Sequence, residues 1–249
     1  HISRFKKFVR DFECGCHEDR QNIRLKIDHT MRVFDLAQRI STSLEMPDIV
    51  RKATCLAALY HDVGRFPQYA QYKTFRDKES ANHALMGVKA ICGNNLLRGL
   101  SAPCRRLILG AVSLHNKKSL PPLPQPLDTV CRIVRDSDKL DIIPVMLKHL
   151  DEPQVNSVVV MGTTPHPEKY TQQLLDEVTH KHAGDYSLLN WTNDCRILIA
   201  GWVFFLNFPE SYSILDEKKY LSQIFKGLPK DEGCCAFEKI VMTYVQDRL

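Results

Sequence analysis

The sequence predicts an all-α protein, and three observations lead to that prediction. Apolar residues recur with the three- and four-residue spacing of amphipathic helices through most of the chain. Glycine and proline interrupt this pattern at helix-length intervals. Of the 249 residues, 44% are hydrophobic and 25% are charged, which is typical of a globular protein that can bury a large core. We therefore expect a helical domain over residues 1–150 and a helical C-terminal part over residues 151–249 that packs on it.

The helices of the first half are predicted from apolar periodicity and from stop signals. Residues 25–44 carry an apolar stripe that Met46-Pro47 ends, and a second helix is predicted over 47–63, where Gly64 stops it. Residues 65–80, which are aromatic and basic and have no clean period, are predicted to form a loop. Further helices are predicted over 82–93, over 103–115 and, after a proline-rich connector, over 129–143.

The pattern changes after Pro144. Residues 150–170 are rich in loop-forming residues, and SVVVM at 157–161 is β-like, which fits either a short strand or a helix start. The most apolar run, 197–208, is about a dozen residues long and too short to span a bilayer, so we expect a buried helix and no membrane partner. The C-terminal helices are predicted over 174–181, 191–207, 218–225 and 235–249.

The charge and the cysteine content narrow the class of protein. A net charge of +5 is compatible with a basic pocket for an anionic substrate, but it is too small and too scattered for a nucleic acid polymer as partner. The nine cysteines are dispersed, several of them in apolar helix-like runs, which favours reduced thiols and a cytoplasmic protein. Cys14-Gly15-Cys16-His17 looks like part of a metal-binding sequence, but no matching CxxC motif follows it.

A set of histidines and aspartates predicts a buried metal centre. Neutral imidazoles and carboxylates are ordinary ligands for divalent iron, manganese or zinc. Each member lies in or beside an apolar helix-like run, and helix bundles build metal sites from inward-facing side chains of several helices. The set comprises His29, the pair His61-Asp62, His83, His115 and the acidic cluster RDSDKLD with Asp136, Asp138 and Asp141.

Helix geometry narrows the roles within this set. His61 and Asp62 are neighbours whose side chains diverge by about 100° around a helix, yet both can reach one ion where the chain turns at Gly64. The carboxylate of Asp62 can also bridge two ions, and two ions about 3.5 to 4 Å apart are suited to clamping a phosphoryl group. Asp136 and Asp138 lie about 200° apart around a helix, so both cannot point at one ion.

The ordered pattern H…HD…H…H…D resembles the HD-domain superfamily of metal-dependent phosphohydrolases. The resemblance covers residues 24–143, includes the HDxGR and DxDKLD contexts, and implies an HD domain within residues 1–150. A looser resemblance, through WTNDCRILIAGWVFFLNF, links residues 151–249 to the helical extension of one group of bacterial HD-domain hydrolases of unassigned substrate. The matching stretches are His29 in LKIDHTMRV, His61-Asp62 in LAALYHDVGR, His83 in SANHALMGV, His115 in AVSLHN and Asp138 in RDSDKLD.

This resemblance implies ligands for two divalent transition-metal ions of iron, manganese, nickel or zinc, with magnesium as a further option. Asp138 is the expected last ligand, because the family's aspartate directly precedes a basic and an apolar residue, and Asp136 remains the alternative. His83 and His115 would hold the second ion or hydrogen-bond to phosphate. The implied ligands are His29, His61, Asp62 and Asp138 for one ion, and His83 and His115, with Asp62 bridging, for the other.

Two basic residues are candidates for binding phosphate, since positive charge is needed at its non-bridging oxygens. Arg65 lies three residues after Asp62, where the similar HD-GYP phosphodiesterases carry a lysine, and Lys139 is next to Asp138. For both residues, an ion pair with a nearby carboxylate is the structural alternative.

Other side chains are expected near the predicted centre, and most of them have two interpretations. Lys26 and Arg32 lie three residues before and after His29, and we expect them on a solvated helix face rather than at the mouth of the site. The aromatic residues of 65–80 either stack on a nucleobase or attach the segment to the core. Asp141 lies one turn after Asp138 and is expected beside the ligands.

The resemblance implies hydrolysis of a phosphate mono- or diester, either a nucleotide or another small phosphorylated metabolite, with Asp62, Arg65 and Lys139 as catalytic residues. Two alternatives remain. A di-iron HD-domain oxygenase would use nearly the same ligands, and a non-catalytic helical module would bind metal or a nucleotide. The expected partners are the small phosphorylated substrate and, as an option, a second copy of the chain. Neither a nucleic acid polymer nor a membrane is expected.

Overall fold

A computed structural model describes residues 1–151 and 160–249, and the regular elements of these residues are helices. The described residues contain no β-strand beyond an isolated bridge between Thr164 and Trp191, so the prediction of an all-α fold is confirmed. Short 3-10 helices lie at Asp77–Glu79, Tyr186–Leu188 and Gly201–Phe205. The α-helices are α1 (Ile2–Arg10), α2 (His17–Thr42), α3 (Asp48–Tyr60), α4 (Arg65–Tyr72), α5 (His83–Gly93), α6 (Ala102–Leu114), α7 (Leu127–Asp151), α8 (Gln172–Lys181), α9 (Thr192–Ala200), α10 (Pro209–Glu217), α11 (Tyr220–Lys226) and α12 (Glu232–Gln246).

The chain divides into two compact units, residues 1–141 and residues 142–249. Helix α7 contributes to both and continues through Pro144, although the sequence pattern predicted that it ends at Ile143. A proline inside a helix costs about 3 kcal/mol. Here Ile143 and Met146 are buried on either side of it, and that burial favours one continuous helix. The predicted domain boundary at residue 150 and the packing of the C-terminal part stay predictions.

Helix α3 is the centre of the first unit. Its apolar residues are buried almost without interruption from Ala53 to Tyr60, and the helix packs against both α2 and α6. Alanines at positions 53, 57 and 58 let neighbouring helices approach closely. Because α3 ends at Tyr60, the pair His61-Asp62 emerges from the most deeply buried helix of the unit into its interior.

Residues 65–80 correct the prediction of a loop, since they contain helix α4 and the 3-10 helix Asp77–Glu79. Pro67 is the third residue of α4, and a proline is tolerated there because the first turn of a helix has no intrahelical partners for its N–H groups. The aromatic residues Phe66 and Tyr69, one turn apart, are both buried. A spacing of three residues is typical of a helix, but two residues are too few to reveal helical periodicity in the sequence.

A pair of glycines brings α5 against the turn that follows α3. A Cβ atom on Gly64 would overlap the carbonyl oxygen of His83 and the backbone nitrogen of Gly87. Only glycine therefore allows the backbones to approach this closely. The approach sets the first residue of α5, His83, beside the pair His61-Asp62.

The second unit is built around α9, whose residues are all buried. The predicted helix over 191–207 is observed as α9 followed by the 3-10 helix Gly201–Phe205, and α8, α11 and α12 lie near the predicted positions. Helix α10 was not predicted, although it begins with a proline, a common first residue of helices. Of the β-like stretch 157–161, residues 157–159 lie outside the described residues, and the rest forms a turn.

All nine cysteines are free thiols, as the sequence predicts. Cys14, Cys16 and His17 do not form a metal-type group within the part of the chain that the structure describes. In that same part, every helix is too short or too polar to cross a bilayer.

Candidate metal centre

The structure brings together all six side chains that the sequence singled out as metal ligands. They come from five places in the first unit, so the centre is assembled by tertiary packing. Five of the six residues are buried, whereas the side chain of Asp138 is 24% exposed. The positions are His29 in α2, His61 and Asp62 after α3, His83 at the start of α5, His115 after α6 and Asp138 in α7.

Three side chains form a first group at one end of the centre. The Nε2 atoms of His29 and His61 are 3.3 Å apart, and Oδ1 of Asp138 lies 3.2 Å from the first and 3.6 Å from the second. Oδ2 of Asp62 faces this group at 3.7 Å from His29 and 3.9 Å from His61. Four donor atoms therefore converge on one position.

A second group lies on the other oxygen of Asp62. Oδ1 of Asp62 is 3.4 Å from Nε2 of His83 and 3.6 Å from Nε2 of His115, and these two nitrogens are 3.0 Å apart. The two oxygens of one carboxylate thus face two separate groups of imidazoles. This is the arrangement expected of a carboxylate that bridges two cations.

Hydrogen bonds at the outer nitrogens orient all four imidazoles. Nδ1 of His61 donates to the carbonyl of Ala58 at 2.7 Å, and Nδ1 of His115 donates to the carbonyl of Val112 at 2.8 Å. The Nδ1 atoms of His29 and His83 donate to carboxylates. We therefore assign the hydrogen to Nδ1 in each ring, which leaves the Nε2 lone pair pointing inward.

These lone pairs provide a test of whether a cation fits. Two nitrogen acceptors 3.0 Å apart, as in His83 and His115, repel each other unless a positive charge lies between them. The same holds for His29 and His61 at 3.3 Å. Imidazole nitrogen and carboxylate oxygen are also the donors that divalent transition metals prefer. The residues present therefore fit two metal ions.

The two inner carboxylates are ionised and ready to bind a cation. Burial acts to raise the pKa of Asp62, but Lys26, Arg65 and His61 outweigh it and hold that pKa well below its usual range. Burial likewise opposes ionisation of Asp138, but the imidazoles of His29 and His61 beside it outweigh this effect and hold its pKa well below the usual value.

The histidines differ in how strongly they hold a proton. Burial lowers the pKa of His83 to about 4, so this imidazole is neutral at neutral pH and its lone pair is available. Burial also acts to lower the pKa of His29, but hydrogen bonds to Asp138 and Asp141 raise it overall. Because the pKa of His29 is raised, a cation at the first group would compete with a proton for its Nε2 atom.

Asp138, rather than Asp136, lies in the first group. Asp136 is fully buried and is not a member of either group of potential ligands among the described residues. Asp141, one turn after Asp138, accepts a hydrogen bond from Nδ1 of His29 at 2.7 Å and is paired with Arg32 at 2.6 Å. The ligand role of Asp138 stays a prediction, and its position is the one that role requires.

Lys26 corrects the expectation of a solvated helix face, since its side chain is only 19% exposed, whereas Arg32 is exposed as expected and still pairs with a carboxylate beside the centre. Nζ of Lys26 lies 2.9 Å from Oδ2 of Asp62, and Arg32 is bonded to Asp141. The three-residue spacing of Lys26 and Arg32 from His29 places all three on one face of α2, and this spacing is the signal that could have identified them.

The two predicted phosphate-binding residues differ in their surroundings. Nε of Arg65 is 3.4 Å from Oδ1 of Asp62, and Nη1 of the same side chain is 3.0 Å from Oδ1 of Asp77. Nη1 also donates to the carbonyl of Phe75. Arg65 therefore forms the ion pairs that were its structural alternative. Lys139 is half-buried and has no hydrogen bond or ion pair to another described residue. Burial and the neighbouring Arg135 lower the pKa of Lys139 to about 8.

The aromatic residues after Arg65 pack on one another. The rings of Tyr69 and Phe75 are stacked with centroids 4.8 Å apart, and Nζ of Lys26 lies 5.4 Å from the Phe75 centroid. The hydroxyl of Tyr69 accepts a hydrogen bond from Asn22 at 2.8 Å. Of the two interpretations of this segment, these contacts favour attachment to the core.

Comparison with known proteins agrees with this geometry. Residues 27–143 match the family model described as HD domain, and that range includes all six side chains of the two groups. No match was found among curated proteins or among solved structures. Residues 27–143 are therefore similar to the HD domain, which is the domain of a superfamily of metal-dependent hydrolases.

Proposed function

We propose that the protein is a metal-dependent phosphohydrolase that cleaves a phosphate mono- or diester, either a nucleotide or another small phosphorylated metabolite. One observation carries the proposal. The two oxygens of Asp62 face two groups of buried imidazoles, so that two cations would share one carboxylate. Sites with two neighbouring cations are widely used for displacement at phosphorus, where they act on both the attacking and the leaving oxygen.

The donor atoms indicate which side chains would bind each ion and which metals they favour. Asp62, His29, His61 and Asp138 would hold one, and Asp62, His83 and His115 the other. Four imidazoles favour iron, manganese, nickel or zinc over magnesium, which prefers oxygen ligands. Bound ions would lower the pKa of a water and offset negative charge at the phosphoryl group.

The charges around Asp62 support an anionic substrate. With neutral histidines, four carboxylates and three cationic side chains leave a charge of −1, and two divalent cations would bring it to +3. Lys26 and Arg65 both lie beside Asp62, so an anionic oxygen near that carboxylate would meet an ammonium and a guanidinium group. The charged groups are Asp62, Asp77, Asp138, Asp141, Lys26, Arg32 and Arg65.

The experiment that tests this function is elemental analysis of protein purified without chelators, combined with a turnover screen of phosphate esters and nucleotides. We expect about two transition-metal ions per chain, one for each group, together with release of phosphate or a phosphate monoester. Two irons without hydrolysis would contradict the proposal and favour the oxygenase. Tight nucleotide binding without turnover under any metal would favour a binding module.

Asparagine substitutions at Asp136 and Asp138 of α7 should have different effects, one on stability and the other on metal content. Asp138→Asn should lower the metal content by about one ion and greatly reduce turnover, because it removes an anionic donor from the first group. Asp136→Asn should retain both ions but lower the free energy of unfolding by about 1–3 kcal/mol, because Asp136 is a buried carboxylate near Arg132 and Lys139.

The two variants are compared by elemental analysis and by denaturant unfolding in the presence of a chelator. Loss of metal from Asp136→Asn, with a full complement in Asp138→Asn, would reverse the assignment of the last ligand.

A further inference from the structure

Asp77 lies outside the predicted ligand set, in the 3-10 helix Asp77–Glu79 between α4 and α5. Its carboxylate nevertheless receives hydrogen bonds from four side chains in three separate parts of the first unit. Such a carboxylate can accept about four hydrogen bonds, so its capacity is filled. The donors are Nδ1 of His83 at 2.8 Å, Nη1 of Arg65 at 3.0 Å, Nε2 of Gln68 at 2.9 Å and Nδ2 of Asn116 at 3.2 Å.

The segment that carries Asp77 is itself held in place by Gln68. This side chain is fully buried, and its Nε2 also lies 2.9 Å from the hydroxyl of Ser80 and 2.9 Å from the carbonyl of Ala81. The side chain of Asp77 is 31% exposed, but its ion pair with Arg65 is one part of a network of hydrogen bonds. The position of Asp77 is determined by a buried amide on α4 and by the histidine that opens α5.

The two groups of imidazoles have matching supports. In each group one histidine donates from Nδ1 to a backbone carbonyl and the other donates to a carboxylate. Asp141 is the carboxylate for His29 in the first group, and Asp77 is the carboxylate for His83 in the second. A carboxylate in this position fixes the direction of the ring and makes the inner nitrogen a stronger donor to a cation.

Asp77 differs from Asp141 in that it also holds the arginine nearest to the shared carboxylate. Nη1 of Arg65 is bonded to Asp77 while Nε of the same side chain is 3.4 Å from Asp62. One carboxylate thus orients both His83 and Arg65 toward Asp62.

We infer that Asp77 is the positioning residue of the second group, which fixes Nε2 of His83 toward Oδ1 of Asp62 and keeps Arg65 beside the same carboxylate. The inference rests on the proposed function, because it assumes that the second group binds a cation. It assigns to each group its own supporting aspartate, so that loss of either one should weaken one cation and spare the other.

The test is a titration of the metal-stripped full chain with manganese(II), followed by equilibrium dialysis, on wild type, Asp77→Asn and the matched control Asp141→Asn. We expect two manganese ions in wild type and a 10- to 100-fold weakening of one of them in each variant, the range typical of removing a carboxylate behind a metal-binding histidine.

The Asp138→Asn background identifies which ion is affected, because it should retain only the ion of the second group. There, adding Asp77→Asn should weaken the remaining ion by the same 10- to 100-fold, whereas adding Asp141→Asn should change it less than about two-fold. Equal effects of the two additions would overturn the inference.

Two further results keep the test decisive. If Asp77→Asn does not fold, Asp77→Glu replaces it, because this variant keeps the negative charge but moves it. We expect Asp77→Glu to weaken manganese binding by a smaller factor and only in the second group. Unchanged affinity in that variant would overturn the inference. If wild type binds no manganese and elemental analysis of the purified protein also finds no transition metal, the proposed function fails and the role of Asp77 with it. If wild type binds two ions and Asp77→Asn also binds both unchanged, only the role of Asp77 fails.

Discussion

Asp62→Ala should remove bound metal from both groups and reduce turnover by more than about a thousand-fold. This is the reduction expected when the metal ions no longer stabilise the transition state by several kcal/mol. Asp62 is the residue that both groups share, with one oxygen 3.7 Å from His29 and the other 3.4 Å from His83. Its loss would also leave Lys26 and Arg65 without their shared counter-charge and so repel an incoming cation.

Elemental analysis and turnover of the best substrate from the screen measure this effect. Asp62→Asn is the companion variant, because it keeps the volume of the side chain and removes the charge; it should fold and still lose both ions. Asp48→Asn, on the exposed first turn of the same helix α3, is the matched control and should keep both ions and full turnover. Metal and activity retained in Asp62→Ala would overturn the assignment of the site.

Gly64→Ala should lower the free energy of unfolding by about 3 kcal/mol or more. This is at or above the largest loss of stability that is usual when a protein interior is overpacked. The added methyl group would overlap the carbonyl of His83 and the backbone of Gly87, and a backbone cannot turn aside as a flexible side chain can. Since the displaced residue is His83, the second group should also lose its cation.

Denaturant unfolding in the presence of a chelator separates the loss of stability from the loss of metal. Gly93→Ala is the control, because a Cβ atom there would have no neighbour within 4 Å and the residue is exposed at the end of α5. We expect it to be neutral or to stabilise by up to about 1 kcal/mol. A Gly64→Ala protein as stable as Gly93→Ala would show that α5 does not lie this close to the turn after α3.

Local sequence was sufficient for the fold class and for naming the side chains of the centre. Helical periodicity is a property of neighbouring residues, so the all-α prediction needed no knowledge of packing. The order of four histidines and two aspartates, read through its family resemblance, named the six side chains that the structure gathers. Each lies in or beside a helix whose apolar stripe already indicated which face points inward.

Local sequence failed where packing overrides a local signal. Pro67 and the mixed composition of residues 65–80 suggested a loop, but burial of Phe66 and Tyr69 on one face favours the helix α4. Pro144 suggested a helix end, but buried residues on both sides of it favour the continuation of α7. For Pro144 the energy of burial offsets the cost of a proline inside a helix, whereas Pro67 lies in the first turn of α4, where a proline is tolerated. In both cases the burial depends on partners that sequence spacing does not reveal.

The family resemblance already implied two sets of ligands that share Asp62, but only the tertiary structure decided which atoms face each other and what supports them. The assignment of one oxygen of Asp62 to each group, and the pairing of Asp77 with His83, depend on the directions of side chains from different helices. Contacts such as His29 with Asp141, 112 positions apart, leave no periodic trace in the chain. The sequence therefore names the chemical groups of the centre, whereas the packing of α2, α3, α5, α6 and α7 determines which atoms face one another.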